Sequence, residues 1–353
     1  MTDYLIIGQG LAGSLLSHFL IKKGNTVAFV DNSHKGASSA IAAGIINPIT
    51  GRHYVKSWKT DELLPVAFRT YEELSAIVGQ QIFYPKNVTM LFRDAETANN
   101  WLARSAEPAL EGYIAPNFDL ENYRKYFGES VCAGVEFQKS GRCDMPGFIV
   151  AWKKYLKDHH YQYLEEAFDY NALEIGEESV VYKGISAKKL IFCEGAAAER
   201  NPFFSHLHYK PAKGEMLLVR IPGYNLNDKL AKDGIFIVPL DNELYWVGSS
   251  YNRDFENSEP TELEYNNLVK ELSEMLKIPF TVEQHFAAIR PTVRDRKPYL
   301  GPHPKFPLLF IFNGLGAKGS SLGPFYAEHF ADYLEGVTAL DKEVAISRLK
   351  PLK

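Results

Sequence analysis

The hydrophobic residues of the first thirty positions follow two different periods. An uninterrupted apolar run from Tyr4 to Ile7 has the length of a buried strand. Beyond a glycine-rich segment, apolar residues recur at helical spacing, at Leu11, Leu15, Leu16, Phe19 and Leu20. A second apolar run, from Thr26 to Val30, ends at Asp31. The pattern predicts a strand, a turn, a helix and a second strand, as in a parallel sheet.

The same alternation returns late in the chain. Apolar runs at 189–192 and 308–312 predict two more strands, and a terminal helix is expected from about Gly323 to Leu334. Between 215 and 249 the pattern instead predicts successive strands, with a hairpin loop at 240–243. The sequence therefore indicates an α/β fold in which a Rossmann-type nucleotide-binding domain is discontinuous.

Two further helices have clear ends. Apolar positions from Leu63 to Val78 predict a long amphipathic helix that stops near Gly79. Asp144 and Pro146 are typical of a helix start, as cap and first-turn residue. A third helix is expected over 263–276.

The opening glycines suggest a specific chemistry. Gly8 and Gly10 suit a tight turn in which the backbone approaches a pyrophosphate, and Gly13 lets the helix pack closely on the strand. The helix N-terminus can face the phosphates, and Asp31 can accept hydrogen bonds from ribose hydroxyls. The alternative is an ordinary structural turn, but the order of strand, helix, strand and acid favours a dinucleotide site.

A second glycine loop lies near the other end of the chain. The strand at 308–312 runs into residues 313–321, which include Gly314, Gly316 and Gly319, and a helix follows. As in the opening unit, a glycine-rich turn leads into a helix N-terminus that can face negative charge. The small and hydroxyl residues at 36–44 either permit close approach to a large ligand or form a helix cap and an alanine-rich turn.

Length, charge and cysteine content narrow the possible classes of protein. A length of 353 residues predicts two domains. A net charge of −4 without long runs of one sign argues against a broad nucleic-acid-binding face. No apolar run reaches membrane-spanning length, and the first strand leaves no room for a signal peptide, so we expect a cytoplasmic protein. Three cysteines without CxxC spacing indicate a reducing compartment: Cys132, Cys143 and Cys193.

In combination, these motifs resemble the D-amino-acid oxidase superfamily of FAD enzymes. The resemblance rests on the opening fingerprint, the Gly36-Ala-Ser-Ser39 stretch, the run from Arg290-Pro291 to Gly301, and the closing loop. It is strongest to the branch that holds glycine oxidase and the oxidase half of the enzyme that trims a carboxymethylaminomethyl group on wobble uridine in tRNA. The run 289–301 is similar to glycine oxidase, whereas the loop 314–319, with Lys318, is closer to the tRNA enzyme.

The resemblance implies FAD, and non-covalent FAD because the closing loop has no cysteine. It implies an FAD-binding domain of residues 1–80, 141–205 and 290–353, and a β-rich α+β substrate domain of 81–140 and 206–289. The implied FAD-binding residues, from the pyrophosphate and ribose to the isoalloxazine, are Gly8, Gly10, Gly13, Asp31, Ser38, Ser39, Gly44, Gly195, Gly316, Lys318, Gly319 and Ser320.

The resemblance also implies oxidation of the C–N bond of a small amino acid or secondary amine by hydride transfer to flavin N5. The candidate catalytic residues are Arg290, Lys318 and Tyr251. Arg290 would bind a substrate carboxylate, unless it forms a surface ion pair with Asp295. Lys318 would stabilise charge on reduced flavin, or is a solvated lysine, and Tyr251 would line the pocket. Phe236 stands where glycine oxidase places a tyrosine, which puts glycine in doubt as the substrate.

Two other functions stay open. One is modification of tRNA wobble uridine, against which stand the acidic balance and the lack of a fused methyltransferase in these 353 residues. The other is flavin binding without catalysis. We expect no metal, because the histidine pairs at 159–160 and 206–208 lack a third ligand. Residues 294–297 are interpreted as a salt-bridged turn, and His53 and Tyr54 are weaker candidates for the site.

Overall fold

A computed structural model describes residues 1–34, 36–51, 54–226 and 229–349. The helices are α1 (Leu11–Lys22), α2 (Thr60–Val78), α3 (Ala95–Ser105), α4 (Leu120–Phe127), α5 (Met145–Asp158), α6 (Glu262–Met275) and α7 (Gly319–Leu334). The strands are β1 (Thr2–Ile7), β2 (Val27–Val30), β3 (Ile45–Ile46), β4 (Ile49–Thr50), β5 (Val55–Lys56), β6 (Phe83–Pro85), β7 (Val88–Phe92), β8 (Ala133–Phe137), β9 (Gly141–Cys143), β10 (Gln162–Leu164), β11 (Leu173–Ile175), β12 (Val180–Tyr182), β13 (Ile185–Phe192), β14 (Ala212–Arg220), β15 (Leu230–Asp233), β16 (Ile235–Pro239), β17 (Leu244–Gly248), β18 (Thr281–Arg290), β19 (Tyr299–Pro302) and β20 (Leu309–Asn313).

The first sheet has a parallel centre, as the alternation of elements predicts. Its strands run in the order β10-β2-β1-β13-β12-β11, with β20 parallel to β13 and β19 antiparallel to β20. Both faces are covered, since Tyr4 and Ile6 pack in one hydrophobic cluster and Leu5 and Ile7 in another. Burial on both faces explains the uninterrupted apolar run of β1. The discontinuous Rossmann-type arrangement is confirmed.

The second sheet has seven strands in the order β18-β14-β17-β16-β15-β7-β8. One face packs on α6 and a hydrophobic cluster that includes Leu217, Val247 and Leu272. Directly paired residues point to one side of a sheet, and the pairing aligns a row of such residues across five strands. The row is Phe286, Met216, Gly248, Phe236 and Lys232.

The terminal helix begins at Gly319, earlier than the expected Gly323, and follows a 3-10 turn at Gly316–Lys318. Gly323 and Pro324 are typical of a helix start, but here they lie inside the helix. Pro324 has no N–H to donate to the carbonyl of Ser320. The Tyr71 hydroxyl donates to that carbonyl instead, at 2.9 Å, and the helix continues through the proline.

The other predicted elements are found, including the helix that ends at Gly79 and the helix that starts after Asp144. The alanine-rich segment forms only one 3-10 turn, Ser38–Ala40. The proposed domain boundaries stay a prediction. Within the described ranges, no helix combines the length and apolar character needed to cross a membrane.

Candidate functional site

A cavity of about 1200 Å³ lies where the two sheets meet. Its walls include residues at the carboxyl ends of β1, β2, β13 and β20, which is the edge of a parallel sheet where ligands bind. The second sheet contributes Met216, Phe236 and Trp246. Residues 7–12 and 313–321 both contribute to the walls, so the two ends of the chain meet at one cavity.

Two of the opening glycines, Gly8 and Gly13, leave no room for a side chain. Gly8 has a φ of +96°, and a Cβ on it would lie 2.6 Å from the carbonyl oxygen of Cys193. A Cβ on Gly13 would lie only 2.0 Å from the carbonyl oxygen of Gly8. Gly8 and Gly10 line the cavity, whereas Gly13 lies behind them and joins α1 to the turn.

Asp31 lines the cavity at the end of β2. Its Oδ1 accepts a hydrogen bond from the Gln9 backbone N–H at 2.9 Å, and its Oδ2 accepts from the Ser33 N–H at 2.8 Å. These bonds hold the carboxylate beside the glycine turn, where the predicted ribose contact requires it.

The middle segment and the end of β13 complete this wall. Ser38, Ser39, Gly44 and Gly195 all line the cavity. The Ser39 hydroxyl accepts from the Leu11 N–H at 3.1 Å, at the start of α1. A Cβ on Gly44 would lie 1.8 Å from the carbonyl oxygen of Cys143, so this glycine is needed for strand contact.

In the closing loop, Gly316, Lys318, Gly319 and Ser320 also line the cavity. The Lys318 ammonium donates to the hydroxyls of Thr50 at 2.9 Å and Ser57 at 3.0 Å. Burial lowers the pKa of Lys318, and the positive charge of Arg296 lowers it further. The Ser320 hydroxyl donates to the carbonyl of Ile45 at 2.7 Å, which leaves its oxygen lone pairs for a ligand.

Arg290 is the last residue of β18, and its guanidinium reaches across β14 to the end of β17. It donates to Ser249 Oγ at 2.6 Å and to the Ser250 carbonyl at 3.2 Å. It forms no ion pair with a described residue, and burial lowers its pKa. The alternative interpretation, a surface pair with Asp295, is wrong because Asp295 binds Arg348 at 2.9 Å.

The serines that hold Arg290 belong to a segment anchored by a buried acid. The Glu215 N–H donates to Ser250 Oγ at 2.9 Å, and the Ser250 N–H donates to the Glu215 carbonyl at 3.1 Å. The Glu215 carboxylate accepts from the Thr261 N–H at 2.8 Å and pairs with Lys213 at 3.1 Å. Both ends of the segment 249–261 are therefore fixed over the cavity.

The Arg290 side chain lies over Gly214, a residue that was not predicted from the sequence to belong to the site. A Cβ on Gly214 would lie 2.0 Å from Arg290 Nη2 and 2.3 Å from its Cζ. A glycine inside a strand often marks the close approach of another group, and this signal was available in the sequence.

We expect Gly214→Ala to displace the Arg290 guanidinium and raise KM for carboxylate substrates at least about 10-fold, the loss of one charge-assisted hydrogen bond. Steady-state kinetics and flavin content check this, with flavin content unchanged. In an Arg290→Ala background the same substitution should have no further effect on KM. A separate, additive loss in the double variant would contradict this account of Gly214.

Tyr251 lines the cavity mouth with 54% of its surface exposed. Its ring centroid lies 5.6 Å from Arg290 Cζ and 5.7 Å from Arg253 Cζ. Phe236 faces the cavity from β16. The predicted roles of all these residues stay predictions, but the structure brings every one of them except Gly13 to the cavity wall.

The weaker candidates from the sequence are His53, Tyr54 and the charged turn at 294–297. His53 lies outside the described residues. Tyr54 packs against Phe92 and Trp101, with centroids 5.6 and 5.5 Å away, and does not line the cavity. The salt-bridged turn is found for Asp295, which binds Arg348, and for Lys297, which binds Glu343 at 2.5 Å.

Glu194 also lines the cavity, although it was not predicted from the sequence to be a site residue. It follows β13, and its carboxyl accepts from the Tyr170 hydroxyl at 2.5 Å and from Asn201 Nδ2 at 2.7 Å. Burial raises the pKa of Glu194 to about 7, and the hydrogen bonds from Tyr170 and Asn201 oppose that rise.

This shift has a testable sign. Between the ordinary pKa of 4.5 and about 7, the folded protein binds more protons at Glu194 than the unfolded chain does. Its contribution to stability is therefore present below pH 4.5 and is lost as the pH rises through 7. We expect Glu194→Gln to raise the Tm of the flavin-free protein at pH 8 and to change it little at pH 5. Thermal denaturation at both pH values measures this, and an equal change at both would contradict it.

Comparison with known proteins now bears on this cavity. The profile of the family described as FAD dependent oxidoreductase (DAO) matches residues 3–333. The chain belongs to the DAO family. It is therefore an FAD-dependent oxidoreductase, as the resemblance implies. The sequence is 24% identical over 368 residues to glycine oxidase of Bacillus subtilis strain 168, a match that covers 97% of this chain and 94% of that protein.

Two further matches differ in how much of each chain they cover. One is 30% identity over 155 residues to the tRNA 5-methylaminomethyl-2-thiouridine biosynthesis bifunctional protein MnmC of Idiomarina loihiensis. This match covers 41% of the chain and only 25% of the length of that protein. The crystal structure of glycine oxidase from Bacillus cereus ATCC 14579 superposes with a TM-score of 0.79 at 20% identity, covering 96% of each chain, and shows the same fold.

The residues present fit FAD. The turn at Gly8 and Gly10 is a bare backbone cradle at the N-terminus of α1, and a Cβ on Gly8 would strike Cys193. The cavity extends from Asp31 to the closing loop, as a ligand with a pyrophosphate between two ring systems requires. The cavity of this DAO-family protein thus has Asp31 at one end and Arg290 at the other.

Proposed function

We propose that this protein oxidises the C–N bond of a small amino acid or secondary amine that carries a carboxylate. The observation that carries the proposal is the position of the Arg290 side chain. Its guanidinium lines the FAD cavity and has no acidic partner among the described residues. A planar fork of this kind binds a carboxylate through two parallel hydrogen bonds. The similarity to glycine oxidase supports the same class of substrate.

In the proposed complex, Gly8 and Gly10 hold the pyrophosphate, Asp31 the ribose, and residues 316–320 the isoalloxazine. The FAD is non-covalent, since neither glycine loop contains a cysteine. When bound, FAD would accept a hydride from the carbon beside the amine. The oxidised substrate would be an imine, which water hydrolyses.

The protein contributes orientation and charge. Arg290 fixes the carboxylate, and the face that carries Met216 and Phe236 excludes water around the reacting carbon. Lys318 and the start of α7 place positive charge at the closing loop, where negative charge develops. No side-chain base is required when the amine arrives neutral. Phe236 presents an apolar ring, so we propose a substrate other than glycine itself.

The decisive experiment uses the purified full chain. Flavin absorbance, or uptake of added FAD, comes first. Anaerobic mixing with a panel of amino acids and secondary amines should then bleach the flavin with the preferred substrate. Protein that takes up no flavin would overturn the proposal. Bound flavin that no amine reduces would favour a flavin-binding protein without catalysis.

The second candidate is tRNA wobble-uridine modification, and one observation favours it. Arg253 and Arg296 are exposed near Tyr251 at the cavity mouth, and neither forms an ion pair with a described residue. Cations beside an exposed ring suit a nucleotide. Incubation with undermodified tRNA, followed by nucleoside analysis, tests this. An unchanged nucleoside profile together with amine-driven bleaching would reject it.

A further inference from the structure

Lys232 is a cation on the cavity-lining face of the second sheet, the face that carries Met216 and Phe236. The reaction outlined above does not use it. It lies on β15, on the same side of the sheet as Phe236 and Met216, and it lines the FAD cavity. Its side chain is partly buried, and its ammonium has no hydrogen bond or ion pair with a described residue. It lies over the Phe236 ring, with the ring centroid 5.0 Å from Nζ.

An ammonium in this position is costly for the protein alone. Burial removes part of its hydration and lowers its pKa, and a single aromatic ring offsets only part of that cost. Met90, the directly paired residue on the neighbouring strand β7, is apolar and buried, so the surroundings of Lys232 are not polar on that side. A charge at such a place indicates an anionic partner that the described residues do not supply.

The position relative to Arg290 suggests what that partner is. Lys232 lies four strands from β18, but both side chains lean inward. Arg290 crosses Gly214 to reach Ser249 and Ser250, while Lys232 lies against Phe236 of β16. Strand spacing and rise then place the two cationic groups on the order of 10 Å apart on one face.

We propose that Lys232 is a second anion-binding residue of the substrate pocket, and that the preferred substrate carries a second acidic group remote from the carboxylate bound by Arg290. The substrate class is then an amine with two carboxylates separated by several bonds. This inference rests on the proposed function. The apolar ring of Phe236 would pack against the methylene groups that join the two acids.

The test compares matched substrates that differ only in the second acid. N-carboxymethyl-β-alanine and N-carboxymethyl-γ-aminobutyrate are paired with N-ethylglycine and N-propylglycine. We expect wild-type kcat/KM to favour the diacid of each pair by about 10- to 100-fold, the contribution of one charge-assisted hydrogen bond. Lys232→Met, which keeps the length and removes the charge, should abolish this preference. Lys305→Met, an exposed lysine outside the cavity, should retain it.

An equilibrium readout accompanies the kinetics. Glutarate and adipate, which cannot be oxidised, should perturb the bound flavin spectrum at lower concentration than butyrate in wild type, and at equal concentration in Lys232→Met. Flavin reduced equally by mono- and diacids in wild type would overturn the role of Lys232 and leave the proposed function intact. Flavin reduced by neither set, nor by any other amine of the panel, would overturn the proposed function. A variant that purifies without flavin, but shows the diacid preference once FAD is added back, would show that Lys232 serves FAD instead.

Discussion

Arg290→Ala should raise KM for carboxylate-bearing amines by about 30- to 1000-fold while the protein keeps its flavin. The range follows from truncating one partner of a partly buried charge pair, about 2–4 kcal/mol. The reason is local: the guanidinium lines the cavity, and no described carboxylate competes for it. Most of the effect should fall on KM, since in the proposed reaction the carboxylate is bound both before and during hydride transfer. Steady-state kinetics and the flavin-to-protein absorbance ratio measure both quantities.

Two companion variants sharpen this result. Arg290→Lys keeps the charge but loses the planar fork, so it should recover only part of the loss. Arg220→Ala removes another arginine of the same sheet, which pairs with Glu283 at 2.9 Å away from the cavity, and should leave KM unchanged. If Arg290→Ala had the kinetics of wild type, carboxylate binding by this residue would be rejected.

Several of the cavity-lining residues selected from the sequence lie close together in the chain. The turn at Gly8, the start of α1 and Asp31 lie within about thirty residues, and each has a signal that depends only on neighbours. Gly13 is needed because the helix folds back on its own strand. The closing loop was found by the same reasoning, although the start of α7 was not, because the hydrogen bond that Tyr71 supplies to Ser320 comes from a distant helix.

The missed residues depend on strand pairing. Gly214 is opposite Ala288 on β18, and only this pairing brings the Arg290 side chain over it. Lys232 faces the cavity because β15 pairs with β16 in the register that sets it opposite Phe236. A shift of one residue would turn its side chain to the other face. Periodicity predicts that such strands exist, but it does not determine their partners or register.

Gly13→Ala should abolish retention of FAD through purification. The added Cβ would lie 2.0 Å from the Gly8 carbonyl oxygen and 3.2 Å from Ile6 Cγ2, so the start of α1 must move away from β1 and the turn. Losing two of the proposed charge-assisted hydrogen bonds from this turn to the pyrophosphate would weaken FAD binding by at least about 100-fold. The overpacked contact should also lower stability by about 1–3 kcal/mol. Flavin content after gel filtration and FAD titration of the flavin-free protein measure the first effect, and thermal denaturation the second.

The matched control is at the other end of the same helix. Gly24 has a φ of +85° but no atom within 4 Å of its would-be Cβ, and asparagine tolerates that conformation. Gly24→Asn should therefore keep both FAD and stability. Far-UV circular dichroism separates weakened binding from unfolding, since Gly13→Ala is expected to stay folded at 20 °C. A Gly13→Ala protein that purified with full flavin would mean that α1 tolerates the displacement, and that close packing against Gly8 does not set the position of the pyrophosphate cradle.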